Sequence, residues 1–329
     1  MLTNNIDHYL ECPAGVAIAR SRQVWGYSVL NRSSVALVSY GLLVGSSQVR
    51  AEDHFFDSNG VRIHYIVVGE GEPVLLIHGF SVDIGRNWAA PGIIKALSRD
   101  YQVIALDNRG HGKSDKPHDP KKYGPEMTED AVRLLDHLKI DKAHVIGYSM
   151  GARITAELLV SHPDRLQTAT LGGFGAVQSD PGLLRFWAEL ADSLEQGRGI
   201  GPLLVRLNPP GRPKPTEAEI AAVNSRINAT GDMKALAALV RGSKRPGLTR
   251  EKQSANRVPT LGLVGSMDAG ALAGAEDLKQ HMANYDLVVI DGADHMNAVG
   301  RPQFIRSLKE FLAKHSRKVK KEKSEARGQ

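Results

Sequence analysis

The chain of 329 residues contains a single cysteine, Cys12, so it forms no intrachain disulfide and has no two-cysteine zinc site. Long apolar runs are equally scarce. The most apolar stretch, Val35 to Gly45, has eleven residues, and at ~1.5 Å rise per residue it falls well short of the ~30 Å hydrocarbon layer, so no stable membrane span is expected. A basic surface of the nucleic-acid kind is missing too. The formal net charge of +6 sits at the chain ends: residues 1–51 hold four Arg against Asp7 and Glu11, and 313–329 hold seven Lys and Arg against Glu322 and Glu325. Residues 52–312 are therefore close to neutral. A terminal basic run without interleaved aromatics reads as a solvated, disordered tail, and no nucleic-acid partner is expected.

The apolar run at 35–45 follows Arg20, Arg22 and Arg32 and precedes Val49-Arg50-Ala51. A basic flank, a short apolar core and a small residue at the cut are the layout of a secretory signal. This predicts a periplasmic or secreted protein whose mature chain begins near Glu52. The alternative reading is a poorly ordered extension, 1–51, on a cytoplasmic chain.

From Glu52 onward, short apolar runs alternate with amphipathic stretches, the pattern of an α/β fold with a mostly parallel sheet covered by helices on both faces. Eight strands are predicted: 54–57, 61–68, 73–78, 102–107, 143–146, 166–171, 258–264 and 287–290. Helices are predicted over 88–98, 126–138, 149–161, 275–283 and 303–314. The alternation fails between residues 175 and 257. A structureless loop of that length is improbable in a compact domain, so 175–257 reads as an inserted helical cap, with helical patches at Leu183–Leu194 and Met233–Val240. The core is then 52–174 plus 258–312.

Gly147-Tyr148-Ser149-Met150-Gly151 fits G-x-S-x-G, a pattern weak on its own that gains weight from its place between a predicted strand and a predicted helix. There a serine is held exposed on a tight turn, and the flanking glycines Gly147 and Gly151 remove Cβ atoms that would clash. The bland alternative is a serine N-cap beside a glycine turn. A serine hydroxyl needs a base, and the base needs an orienting acid. His295, in Gly292-Ala293-Asp294-His295, follows the last strand, and Asp268, in Gly265-Ser266-Met267-Asp268, follows the one before it. Asp291 and Asp294 compete with Asp268 for the acid role, but both lie beside His295, where folding back onto its ring is awkward. The third requirement is a set of backbone N–H donors for an oxyanion. His78-Gly79-Phe80, after the buried strand 73–77, points to the N–H groups of Phe80 and Met150.

These segments, with Asp107-Asn-Arg-Gly-His-Gly-Lys-Ser114, together resemble the α/β-hydrolase superfamily over about 54–312. The likeness is to its capped branch of small esterases, lactonases, cofactor-free haloperoxidase-like enzymes and carbon–carbon bond hydrolases. It implies Ser149 as nucleophile, Asp268 and His295 as its partners in the order Ser, Asp, His, and Phe80 and Met150 as oxyanion donors. Asp107–Ser114 is in such proteins chiefly a structural turn. Epoxide hydrolases and haloalkane dehalogenases carry aspartate where this chain has Ser149, and 175–257 contains no tyrosine. The expected activity is hydrolysis of a small-molecule acyl substrate, an ester or lactone, without metal or organic cofactor. Carbon–carbon hydrolysis or perhydrolysis by the same triad, and a non-catalytic binding protein on the same scaffold, are the alternatives. His78 reads chiefly as a brace for its loop and is also a pocket candidate; Leu183, Leu184, Phe186, Trp187 and Leu190 are pocket candidates that fit equally well as plain cap core.

Overall fold

The computed structural model describes residues 51–175, 181–243 and 249–316. Of the signal-like segment 1–51 and the basic tail 313–329, residues 1–50 and 317–329 lie outside the described residues. Eight strands form one sheet: β1 (His54–Asp57), β2 (Arg62–Val68), β3 (Glu72–Ile77), β4 (Tyr101–Leu106), β5 (Ala143–Tyr148), β6 (Leu166–Gly172), β7 (Thr260–Gly265) and β8 (Tyr285–Ile290). Their order across the sheet is β1-β2-β4-β3-β5-β6-β7-β8. The β1–β2 and β2–β4 pairs are antiparallel and every other pair is parallel.

Strand periodicity explains why the central runs are apolar throughout. In β3, Leu75 and Ile77 face one core cluster while Val74 and Leu76 face the other, and in β4 Ile104 and Leu106 oppose Val103 and Ala105 in the same way. A strand covered on both faces favours apolar side chains at nearly every position. One face is packed by α2 (Pro125–His137), which presents Met127, Ala131, Leu134 and Leu135 at helical spacing, together with α3 (Met150–Ser161) and α9 (Ala269–His281). The other is packed by α1 (Ile93–Leu97) and by α10 (Pro302–Lys314), through Phe304, Leu308, Phe311 and Leu312.

The single helix predicted over 88–98 is two pieces. One wide turn, Gly85–Ala89, closes with Ala90 N donating to Gly85 O at 2.8 Å, and α1 follows. Pro91 brings no N–H to carry the ladder onward, and Gly92 turns left-handed at φ 84°. Helix α9 starts at Ala269, six residues earlier than predicted, because its first turns carry only small residues and one leucine and show no apolar period.

Between β6 and β7 lie α4 (Pro181–Glu195), α5 (Gly201–Arg206), α6 (Glu217–Thr230), α7 (Met233–Gly242) and α8 (Arg250–Ala255). Helices α4, α6 and α7 enclose a cluster of their own, which includes Phe186, Leu190, Leu194, Ile227 and Leu236. Phe80, from the loop after β3, packs against both this cluster and the sheet. Among the described residues no helix is long and apolar enough to cross a membrane.

Strand order also fixes where a site can form. After β3 the chain moves to β4 on one side, and β5 lies on the other, with Ile77 paired to Leu106 and to Gly147. The loops that leave the carboxyl ends of β3 and β5 therefore open a crevice, the position where open α/β sheets bind ligands.

Candidate active site

Ser149 stands at this crevice between β5 and α3. Its N–H donates to Gly172 O on β6 at 2.8 Å, and its carbonyl accepts from Arg153 N at 3.1 Å. Pinned on both sides, it adopts φ 53°, ψ −111°, a conformation that costs a non-glycine residue about 1–3 kcal/mol. Close packing enforces the bend. A Cβ on Gly151 would stand 1.9 Å from Ile77 O, and one on Gly147 would stand 2.2 Å from Gly151 O. Only glycine at both flanks lets α3 start against the end of β3.

The loops after β7 and β8 are stitched to each other. Ser266 N donates to Ile290 O at 3.0 Å, Met267 N to Ala293 O at 2.8 Å, and Gly292 N to Ser266 Oγ at 2.9 Å. This stitching brings Asp268 Oδ2 to 2.6 Å from His295 Nδ1, and His295 Nε2 to 2.9 Å from Ser149 Oγ. Asp268 and His295 are buried and Ser149 is half-buried, so the contact between carboxylate and imidazole is little weakened by water. The two competing acids are engaged or remote. Asp291 is exposed. Asp294 turns away from the ring: its Oδ2 accepts from Arg212 Nη1 at 2.8 Å, and its Oδ1 accepts from Met296 N and Asn297 N.

Two features of this region went unread in the sequence. Tyr148, the residue before Ser149, donates its hydroxyl to His295 O at 2.6 Å. Burial, then the nearby Asp268 and Asp294, pushes its phenol pKa up, so it stays a donor. Arg212 ties the proline-rich loop of the inserted segment to the residue beside His295. The only sequence signal for Tyr148 was its place in the G-x-S-x-G turn; Arg212 offered none.

Of the loop after β3, His78 is fully buried and both ring nitrogens are occupied. Nδ1–H donates to Gly79 O at 2.7 Å, and Nε2 accepts from Asn108 N at 2.9 Å. It braces the loop, as its favoured reading has it, and the pocket reading falls away because neither ring nitrogen is left for a ligand. Among the described residues, the N–H groups of Phe80 and Met150 meet no protein acceptor. Phe186 and Trp187 pack ring to ring at 4.8 Å within the cluster that also holds Phe80. Leu190 is buried there, while Leu184 is 74% exposed. The Asp107–Ser114 segment is a turn built around Asp107, whose carboxylate accepts from His64 Nδ1, Ile84 N and Lys113 N. Among the described residues no group of three or more His, Cys, Asp or Glu is arranged to hold a metal ion.

Comparison with known proteins follows the same lines. The family model for the alpha/beta hydrolase fold matches residues 72–302. The chain is 37% identical over 138 residues to the dihydrolipoyllysine-residue acetyltransferase component of the acetoin cleaving system of Cupriavidus necator, covering 40% of this chain and 35% of that one. It is 35% identical over 112 residues to epoxide hydrolase 3 of Siraitia grosvenorii, covering 34% of this chain and 35% of the relative. The matches thus span about a third of the length of these curated relatives. Among solved structures, the enol-lactonase of Burkholderia xenovorans LB400 superposes with a TM-score of 0.66 at 25% identity, over 79% of this chain and all of that one. With a family match that takes in more than half of its residues, and with the strand order and serine turn described above, this chain belongs to the α/β-hydrolase fold family.

Proposed function

We propose that the protein is a serine hydrolase that cleaves a small carboxylic ester or lactone through an acyl-enzyme on Ser149. The observation that carries this reading is the unbroken run of contacts from Ser149 Oγ to His295 Nε2 and from His295 Nδ1 to Asp268 Oδ2. With Nδ1–H donating to the carboxylate, the Nε2 lone pair is left facing the serine hydroxyl. The serine oxygen attacks the acyl carbonyl carbon as its proton passes to Nε2. Negative charge then collects on the carbonyl oxygen, opposite the free N–H groups of Phe80 and Met150. The imidazolium, steadied by Asp268, returns its proton to the departing alkoxide as the carbon–oxygen bond breaks. Water, deprotonated by the same nitrogen, releases the acid and restores the serine. One N–H donor of this kind is worth about 3 kcal/mol of transition-state stabilisation.

The preference for an ester or lactone draws on the likeness to the enol-lactonase and on the serine at the position where an epoxide-opening enzyme carries aspartate. A fluorophosphonate probe tests the reading. Mass spectrometry should place the label on Ser149, and Ser149→Ala should lose both labelling and turnover of short-chain aryl esters and lactones. Label retained in Ser149→Ala would refute the assignment, and a labelled wild-type protein that turns over diketones but no ester would move it to carbon–carbon hydrolysis.

A further inference from the structure

The loop after β3 is tethered on both sides of Phe80. Gly79 N donates to Asn87 Oδ1 at 2.8 Å, and Ser81 N donates to His111 Nε2 at 3.1 Å. Gly79 O accepts from His78 Nδ1, and His78 O accepts from Asn108 Nδ2 at 3.1 Å. Between the two tethered N–H groups lies that of Phe80, which no protein group accepts among the described residues. The clamps come from different elements: Asn87 from the wide turn before α1, and His111 from the turn after β4.

Both clamps carry a cost that packing alone does not explain. Asn87 is buried, and with its Oδ1 committed to Gly79 its Nδ2 has no partner among the described residues, an arrangement that is unfavourable in a core. Ser81 is held left-handed at φ 58°, where a residue with a Cβ is strained. His111 is buried, and its Nδ1–H donates to Arg109 O at 3.2 Å. That bond leaves Nε2 unprotonated and fixed as the acceptor for Ser81 N. Strain and an unsatisfied amide beside the serine are the marks of a loop held for its geometry.

We infer that Asn87 and His111 are positioning residues that hold the Phe80 N–H on the developing oxyanion by fixing the backbone on either side of it. The inference rests on the serine-hydrolase reading. It assigns to two residues outside the triad a share of transition-state stabilisation that acts through the backbone, with neither touching substrate.

The test compares an aryl acetate with its thionoester, in which sulfur replaces the carbonyl oxygen. Sulfur is a poor acceptor, so the thionoester gains little from the N–H donors and reports attack by Ser149 without them. Loss of one donor costs about 100- to 1,000-fold in kcat, and a donor left in place but loosely held should cost about 10- to 100-fold on the ester. His111→Leu and Asn87→Leu should each show that loss with a much smaller change on the thionoester, so that the ester-to-thionoester ratio falls at least tenfold. His111→Gln, whose amide oxygen reaches the place of Nε2, should restore the ratio. If His111→Leu does not fold, Asn87→Leu and the shorter His111→Asn carry the same comparison. A ratio unchanged from wild type in the folded variants, with both substrates slowed equally, overturns the positioning role and leaves the serine-hydrolase reading intact. Wild-type protein that shows no Ser149-dependent ester turnover overturns both.

Discussion

Gly151→Ala isolates how much the serine turn depends on close backbone approach. The added Cβ would lie 1.9 Å from Ile77 O and 2.8 Å from His78 O, whereas ordinary van der Waals contact begins near 3.4 Å. Either the start of α3 or the end of β3 must therefore move by about 1.5 Å. Ile77 is the last residue of a strand paired on both sides, to Leu106 and to Gly147, and the shift breaks ladder bonds that were buried. Each broken bond that leaves a buried group unsatisfied costs about 1–3 kcal/mol, so two or three bring the loss to about 2–9 kcal/mol, a large part of a typical domain's ~5–15 kcal/mol. Gly270→Ala is the control: it lies in the exposed first turn of α9, its Cβ would meet nothing within 4 Å, and it should stabilise the fold by up to about 1 kcal/mol. Urea unfolding followed by far-UV circular dichroism, with fluorophosphonate labelling on the same samples, reads both. Gly151→Ala that unfolds at the wild-type midpoint and labels at the wild-type rate would refute the reasoning.

Asp268→Asn should lower aryl ester turnover by about 10⁴-fold with little change in urea midpoint, because the imidazole tautomer is lost while the packing remains; steady-state kinetics decide. Tyr148→Phe leaves His295 O without its buried donor and should cost about 1–3 kcal/mol in urea unfolding. Burial, reinforced by His78 beside it, holds the pKa of His111 down to about 3, against ~6.5 in an unfolded chain. The unfolded state then binds a proton that the native state refuses, so this stability is complete above pH 6.5 and falls by about 1.4 kcal/mol per unit toward pH 3. Between pH 7 and pH 5 wild type should lose about 2 kcal/mol more than His111→Gln, and parallel losses would contradict the burial of a neutral ring.

What the sequence made legible follows from how each signal arises. Strands β3 and β4 read clearly because burial on both faces favours an unbroken apolar run. The edge strand β8 read as 287–290 because Asp286, Leu287, Val288 and Val289 are half-buried or exposed, and its first two residues, Tyr285 and Asp286, carry no continuous apolar run. Ser149, Asp268 and His295 were legible as chemically apt side chains placed just past predicted strands. Asn87 and His111 were not, since a side chain that accepts from a distant backbone N–H leaves no period or spacing behind. Helix α6 was missed although Thr216 and Glu219 form a capping box at its start; its polar, exposed surface offered no apolar stripe to pair with that signal.

The division of labour in the fold follows from which contacts cross between its parts. Ser149, Asp268 and His295 are held by loops that bond to each other and to the sheet: Ser149 to β6, and Met267 to Ala293. None of these bonds involves α4 to α7. Those helices close on their own cluster and meet the candidate site at Phe80, which packs against that cluster and the sheet alike, and the loop between α5 and α6 meets it through Arg212 with Asp294. The Arg212 side chain is half exposed, and Asp294 keeps two backbone donors without it. Loss of that bond would leave the buried Asp294 carboxylate on its two backbone donors alone. Phe80 is the stronger link, because its ring follows the helices while its N–H faces the reacting carbonyl in the proposed mechanism. A change in helix packing can reach the oxyanion through one backbone position, and the tethers at Gly79 and Ser81 are what limit how far that disturbance travels.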